Sequence, residues 1–319
     1  MSESIQVTPA LPRPPATPQA SRPWARIRRR SARFWLEFMF WWTEHFPWMV
    51  LWTRPLFLWH AWHFAAAVRG ALLANARRLL PPGATEKQIA ALALDTLRKF
   101  YMNVYQLGIV LRQPVESLPS RVESITGDDH YQAARRMRRG AVLVTAHLGP
   151  VEQGIAALTG RERHIHVVFQ HDASPRFERL RSRLRHMLGV SEHPVDDGWP
   201  IWVRLRDALQ RNEVVMIQGD RTMPGQRGRR VPFLNGHILL PTGPVRLALA
   251  AGAPLIPVFS IGLPDGRLRI VIDAPLSVSP EEPERALLGF AAALARQVTA
   301  HPEQWSMLHK VWCEDVDGD

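Results

Sequence analysis

AVLVTAHLGPVE, residues 141–152, is the stretch on which the fold turns. Its first six residues form a short, uninterrupted apolar run, the texture of a strand buried on both faces. Similar β-rich runs recur as IHVVF at 165–169, VVMIQ at 214–218, PLIPVFS at 254–260 and LRIVI at 268–272. Helical patterns alternate with them near 151–158, 175–188, 200–211, 244–251 and 284–299. That alternation predicts an α/β class with a mixed, mostly parallel central sheet flanked by helices. No internal repeat interrupts it.

Ligands of open α/β folds bind beyond the carboxyl ends of the strands, and the strand at 141–146 ends directly in His147. A histidine titrates near neutrality and suits general-base work. A carboxylate on its second ring nitrogen would orient it and stabilise the imidazolium. Glu152 is the nearest candidate in sequence. Five residues of ideal helix turn through about 500°, so the two side chains meet only if Gly149-Pro150 makes a turn and Glu152 opens the next helix.

Two later segments add candidates. VVMIQ leads into Gly219-Asp220-Arg221, with Arg227, Arg229 and Arg230 following before Val231-Pro232-Phe233. Arginine forks suit phosphate and carboxylate, which makes Arg221, Arg229 and Arg230, with Asp220 among them, candidates for a site that binds an anionic substrate. Thr242-Gly243-Pro244 opens a helix whose first amides are available to an anion, so Thr242 and Gly243 are candidates for the wall of a substrate site. His164 and His166 alternate on one strand face, but no third metal ligand accompanies them, and the metal expectation is none.

The N-terminal region has a different texture. Residues 1–25 are Pro-rich and basic and read as a disordered tail. Residues 26–80 start with RIRRRSAR and continue through FWLEFMFWWTEHFPWMVLWTRPLFLWHAWHFAAA, which holds seven of the twelve tryptophans. Glu37, Glu44 and Arg54 interrupt the apolar run and Pro47 and Pro55 are expected to break it, so the segment falls short of the ~20 apolar residues of a spanning helix. Tryptophan favours the headgroup level, and aromatic helices behind basic clusters lie in that interface. Monotopic attachment is the expectation, with a short or tilted single span as the alternative. Residues 81–319 then form the α/β domain, led in by a helix over 85–112 that Thr85 is placed to cap.

Composition narrows the remaining choices. The chain has 319 residues and a net charge of +11, and 37 of its 40 basic residues are arginine. An anionic partner is the first expectation. A single cysteine, Cys313, excludes an internal disulfide and a thiolate-rich metal site. There is no Gly-x-Ser-x-Gly elbow, Walker loop, dinucleotide fingerprint or His-Glu-x-x-His. The basic cluster adjoins tryptophans rather than a groove-reading helix, so nucleic acid is not the expected partner.

HLGPVE, then GDR, then VPFLNGHILLPTGPVRLALAAGAPLIPVF, then HPEQWSMLHKVW, behind a hydrophobic N-terminal segment, resembles the bacterial lipid A late acyltransferases. These lauroyl and myristoyl transferases belong to the lysophospholipid acyltransferase-like superfamily. The resemblance covers roughly residues 33–312. It implies a glycerolipid acyltransferase-like fold, an N-terminal membrane anchor and a site at the cytoplasmic face of the bacterial inner membrane. It also implies transfer from an acyl carrier protein or coenzyme A thioester, with no bound cofactor, to a lipid or glycolipid hydroxyl. The family's His-x4-Asp/Glu motif carries catalysis and maps onto His147 and Glu152. Basic surface, including the helix from Arg176 to Arg185, would steer an acidic carrier protein. The chain departs from the pattern at Gln170, where lipid A enzymes commonly carry arginine, and at Gly-Asp-Arg in place of Asp-x-Asp. These departures open the acceptor to other glycolipids or amino lipids. The alternative of another class is a non-catalytic peripheral protein that binds anionic headgroups.

Overall fold

The computed structural model describes residues 23–172, 174–223 and 225–316, with side chains from residue 34 onward. Most of the expected disordered tail therefore lies outside the described residues, as do the side chains of the RIRRRSAR cluster. Helices α1 (Pro23–His45), α2 (Pro47–Phe64), α3 (Ala66–Leu79) and α4 (Glu86–Val110) come first. Phe46 separates α1 from α2, and Pro47 sits at the start of α2, where a missing N–H is harmless. Pro55 does not break the run as expected; it lies inside α2, which continues to Phe64. α4 begins with a capping box: Gln88 N–H donates to Thr85 Oγ1, and Gln88 Oε1 accepts from Thr85 N–H at 2.8 Å.

The α/β part runs β1 (Val122–Thr126), α5 (Asp128–Arg136), β2 (Ala141–Thr145), α6 (Val151–Thr159), β3 (Ile165–Phe169), α7 (Pro175–Met187), β4 (Ser191–Pro194), α8 (Pro200–Gln210) and β5 (Val214–Gln218). It continues through β6 (Gly228–Phe233), β7 (Gly236–Pro241), α9 (Gly243–Ala251), β8 (Leu255–Gly262), β9 (Leu268–Ile272), α10 (Pro283–Ala300) and α11 (Cys313–Val316). Seven strands form one sheet in the order β1-β9-β8-β2-β5-β3-β4. β8, β2, β5, β3 and β4 are mutually parallel, while β9 and its parallel neighbour β1 run the opposite way. β6 and β7 form a separate antiparallel hairpin.

Both faces of the sheet are covered, which is why β2 reads as an unbroken apolar run and all five of its residues are buried. Leu143, Met216 and Ile256 pack with residues of α1 to α7, including Phe40, Tyr101, Ile155 and Leu184. Val144, Ile217 and Phe259 point the other way, into a core shared with α8, α9 and α10. The strands β1, β4, β6 and β7 and the helix α5 are additions to the elements expected from the sequence. β1 and β4 are short edge strands without a fully buried residue, so they carry little hydrophobic pattern. Among the described residues no helix is long and apolar enough to cross a membrane.

Candidate active site

The central pair of strands sets the chemistry. β2 and β5 are parallel neighbours in register, with Thr145 opposite Gln218. Two residues beyond each of these come His147 and Asp220, so the sheet delivers an imidazole and a carboxylate to one point beyond its carboxyl edge. His147 Nδ1 lies 2.8 Å from Asp220 Oδ1. Asp220 Oδ2 accepts from the His147 backbone N–H at 2.8 Å and from the Trp305 indole N–H at 2.9 Å. Burial of the Asp220 side chain pushes its carboxyl up. The adjacent His147 and the three hydrogen bonds outweigh this and hold it below the usual carboxylate range. An ionised carboxylate only accepts, so Nδ1 carries the ring proton and Nε2 is left as the basic nitrogen.

This corrects the expected pairing with Glu152. Gly149 does make the required turn, at φ 65°, where a Cβ would collide with the Ser260 carbonyl oxygen. Glu152 does open α6. Its carboxylate, however, goes to α7: Arg185 donates to Glu152 from Nη2 at 2.6 Å and from Nε at 3.2 Å. Arg181 stands 3.6 Å away. Arg185 is 2% exposed, also bonds Glu192, and has Phe169 beneath its guanidinium at 4.7 Å. A buried guanidinium needs anions around it, and that demand fixes Glu152.

The C-terminal segment braces the pair. The His147 carbonyl accepts from Ser306 N–H at 2.8 Å, and Gly149 N–H donates to the Gln304 carbonyl at 3.0 Å. Asn75 on α3 clamps the next few residues: its Nδ2 donates to the carbonyls of Met307 and His309, and its Oδ1 accepts from Val311 N–H. Trp305 itself is 2% exposed and packs with Phe233 and Trp312. The sequence pattern assigns no role to Trp305. A tryptophan flanked by polar residues six positions after a helical pattern carries no signal for a donor onto a distant aspartate.

His147 opens onto a cleft of about 1490 Å³, which Glu152, Gln170, Arg221, Thr242 and Gly243 also line. This exceeds the ~300–1,000 Å³ of a small-molecule pocket and suits two substrates together. Asp220 lies behind His147 rather than in the wall. Arg229 and Arg230 depart from expectation: on β6 they pair with Glu284 and Glu314, at 2.8 and 2.9 Å, outside the cleft lining. A second histidine, His309, lines the cleft, and burial, together with the charges of Arg221 and His147, lowers its pKa to about 4. His166 is tied to His193 at 2.9 Å and Glu213 at 2.7 Å, near the opposite ends of β3 and β5. Among the described residues no group of three or more His, Cys, Asp or Glu side chains could hold a metal.

Large apolar side chains on α2, at the joint before it and on α1 are open to solvent. Phe34, Phe46, Trp48, Leu51, Trp52, Leu56 and Trp59 are all exposed, Trp52 at 79%. Trp42 and Trp62, by contrast, pack partly buried against the core.

The model of the family described as bacterial lipid A biosynthesis acyltransferase matches residues 24–314. Among curated proteins, the chain is similar to the phosphatidylinositol mannoside acyltransferase of Mycobacterium tuberculosis strain H37Rv, 26% identical over 246 residues, 76% of each chain. It is also similar to the protein of that name from Mycolicibacterium smegmatis, 25% identical over 193 residues, 60% of this chain and 62% of the relative.

Proposed function

Because the chain belongs to the bacterial lipid A biosynthesis acyltransferase family and is an acyltransferase, we infer that it moves a fatty acyl group from a thioester to a hydroxyl of a glycolipid at a membrane surface. The observation that carries this reading is the Asp220-His147 pair, ending in a basic Nε2 beside a cleft large enough for two substrates. Nε2 takes the proton of the acceptor hydroxyl, and the oxygen attacks the thioester carbonyl. The C–S bond breaks as the new C–O bond is completed, and the thiolate leaves to be protonated. Asp220 stabilises the imidazolium formed on the way. Glu152 is a positioning residue in this scheme, holding Arg185 and the α6–α7 wall of the cleft.

The donor is an acyl carrier protein or coenzyme A thioester, and the acceptor a glycolipid of the kind that the relatives' names describe. Phe34, Trp48, Trp52 and Trp59 would sit at headgroup depth, an exposed apolar face larger than isolated surface residues give. That arrangement supports monotopic attachment, and the cytoplasmic face of the inner membrane is the location that the family resemblance implies. The test is transfer from a labelled acyl thioester to a total lipid extract, run beside His147→Ala. A labelled lipid formed by the wild type and lost in the variant supports the reading. A thioester that binds without transfer returns the chain to the non-catalytic, headgroup-binding alternative.

A further inference from the structure

Glutamine stands at the third helical position of both α4 and α6, and the two side chains are placed differently. In α4, Gln88 Oε1 accepts from the Thr85 N–H at 2.8 Å and from the Thr85 hydroxyl at 2.9 Å. Gln153 has the same position in α6, where the N-cap is Pro150. Proline has neither a backbone N–H nor a hydroxyl, so the reach-back that completes a capping box has nothing to meet. Gln153 is nevertheless only 5% exposed, and its Oε1 is enclosed without a hydrogen-bond partner among the described residues. A buried amide oxygen in that state is costly, and folded proteins seldom leave one.

The turn of the helix sets what Gln153 faces. One residue earlier, Glu152 goes to Arg185 on α7; one residue later, a Cβ on Gly154 would meet the Ser260 side chain of β8. Ile155 is buried in the core with Leu143 of β2. Successive helical residues are about 100° apart, so Gln153 takes the side of α6 turned from the sheet toward α4, with which α6 is in contact. There it lines the cleft, as do Phe100, Val104 and Leu107 of α4 and Leu36 and Phe40 of α1. Two polar side chains that also line the cleft are engaged elsewhere. Asn103 Nδ2, on the same stripe of α4, donates to the Gly149 carbonyl at 3.3 Å. Arg181 of α7 stands between Glu152 and Glu178, at 3.6 and 3.4 Å.

The ligand that fits this wall has one hydrogen-bonding group on an otherwise apolar body. The apolar side chains suit an alkyl chain, but a plain alkyl chain would seal the amide oxygen in with nothing bonded to it. A sugar headgroup would bring several hydroxyls to a wall with one free amide and leave the others unmatched. A hydroxyl both donates and accepts, so it meets the amide whichever way its two ends are turned. Gln153 also lies in the first turn of the helix that follows His147, which puts it near the reacting end of a bound chain.

We propose that Gln153 is a specificity-determining residue that selects a fatty acyl chain carrying a hydroxyl near its carbonyl end, its amide oxygen accepting from that hydroxyl. The choice of an acyl chain rests on the acyl-transfer reading. Gln153 acts on which chain is bound, while proton transfer stays with His147.

Displacement of a fluorescent fatty acid from the full chain tests this without turnover. Tetradecanoate, 2-hydroxytetradecanoate and 3-hydroxytetradecanoate share a chain and a carboxylate and differ in the hydroxyl. One of the hydroxylated forms should bind at least about tenfold more tightly than tetradecanoate, the scale of satisfying a buried amide. Gln153→Leu should abolish or reverse that preference. Gln153→Met, which keeps the unbranched length, should do the same. A side chain that only fills space would leave the ratio of affinities where it was. Equal affinities in the wild type, no displacement by any of the three acids, or a preference that survives both substitutions would overturn the proposal. A preference for the hydroxylated chain in a protein that transfers no acyl group would keep the chain-binding site and remove the acyl-transfer reading.

Discussion

Two carboxylates stand near the carboxyl edge of the sheet, and their surroundings give them different work. Asp220 is in a fully buried strand-end site where every donor on it belongs to His147 or Trp305. Glu152 is on the first turn of α6, where the guanidinium groups of α7 claim it. Sequence distance would rank them the other way, since Glu152 is five residues from His147 and Asp220 is seventy-three. Register between parallel strands outranks proximity along the chain, because two adjacent strand ends superpose side chains that a loop and a helix turn carry apart.

The largest effect belongs to the histidine for which both carboxylates are candidates. His147→Ala should lower the acyl-transfer rate by about 10⁴, the scale of losing a general base held by a carboxylate, with thermal stability little changed. A rate within tenfold of the wild type would remove His147 from the chemistry. Next comes the turn that separates the two carboxylates. Gly149→Ala forces a left-handed φ on alanine and a collision with the Ser260 carbonyl, so a loss of more than ~1–3 kcal/mol in denaturant unfolding is expected. Unchanged stability would mean that the turn is not as described.

Glu152→Gln addresses the carboxylate that His147 does not use. It withdraws one of the carboxylates around a guanidinium that is 2% exposed, leaving Glu178 and Glu192. The cost should therefore stay below the ~3–5 kcal/mol of a fully orphaned buried charge, and it should be seen as a lower melting temperature. An unchanged melting temperature would show that Arg185 does not depend on Glu152.

The smallest effect is on pH dependence. Burial and neighbouring cations lower His193 and His309 to about 4, so both are neutral in the folded protein at neutral pH. The unfolded chain, with ordinary histidines, binds more protons between about pH 6.5 and 4, so stability should fall as pH falls through that window. His193→Gln should flatten the slope of melting temperature against pH between about 7 and 5. A slope identical to the wild type's would show that His193 is not held neutral.

The parts of the fold that were legible were those with strong local pattern. The five strands at 141–146, 165–169, 214–218, 254–260 and 268–272 and the helices between them lie close to the expected bounds, because each is buried deeply enough to print its period on the sequence. The β6–β7 hairpin was hidden by Arg229, Arg230 and Pro232, which read as a charged loop although β7 pairs with all of them. At the site, His147 and Asp220 were both legible as strand-end residues. Their partnership was not, since it depends on β2 and β5 being neighbours, and no pattern within either strand states that.

The rate of acyl transfer from a labelled acyl thioester sets the two carboxylates against each other in one assay. Asp220→Asn keeps the shape but no longer fixes the His147 tautomer or stabilises the imidazolium, and should fall by about 10²–10⁴. Glu152→Gln, measured at a temperature where it remains folded, should stay within about tenfold of the wild type. The reverse order, with Asp220→Asn active and Glu152→Gln dead, would contradict the pairing of His147 with Asp220.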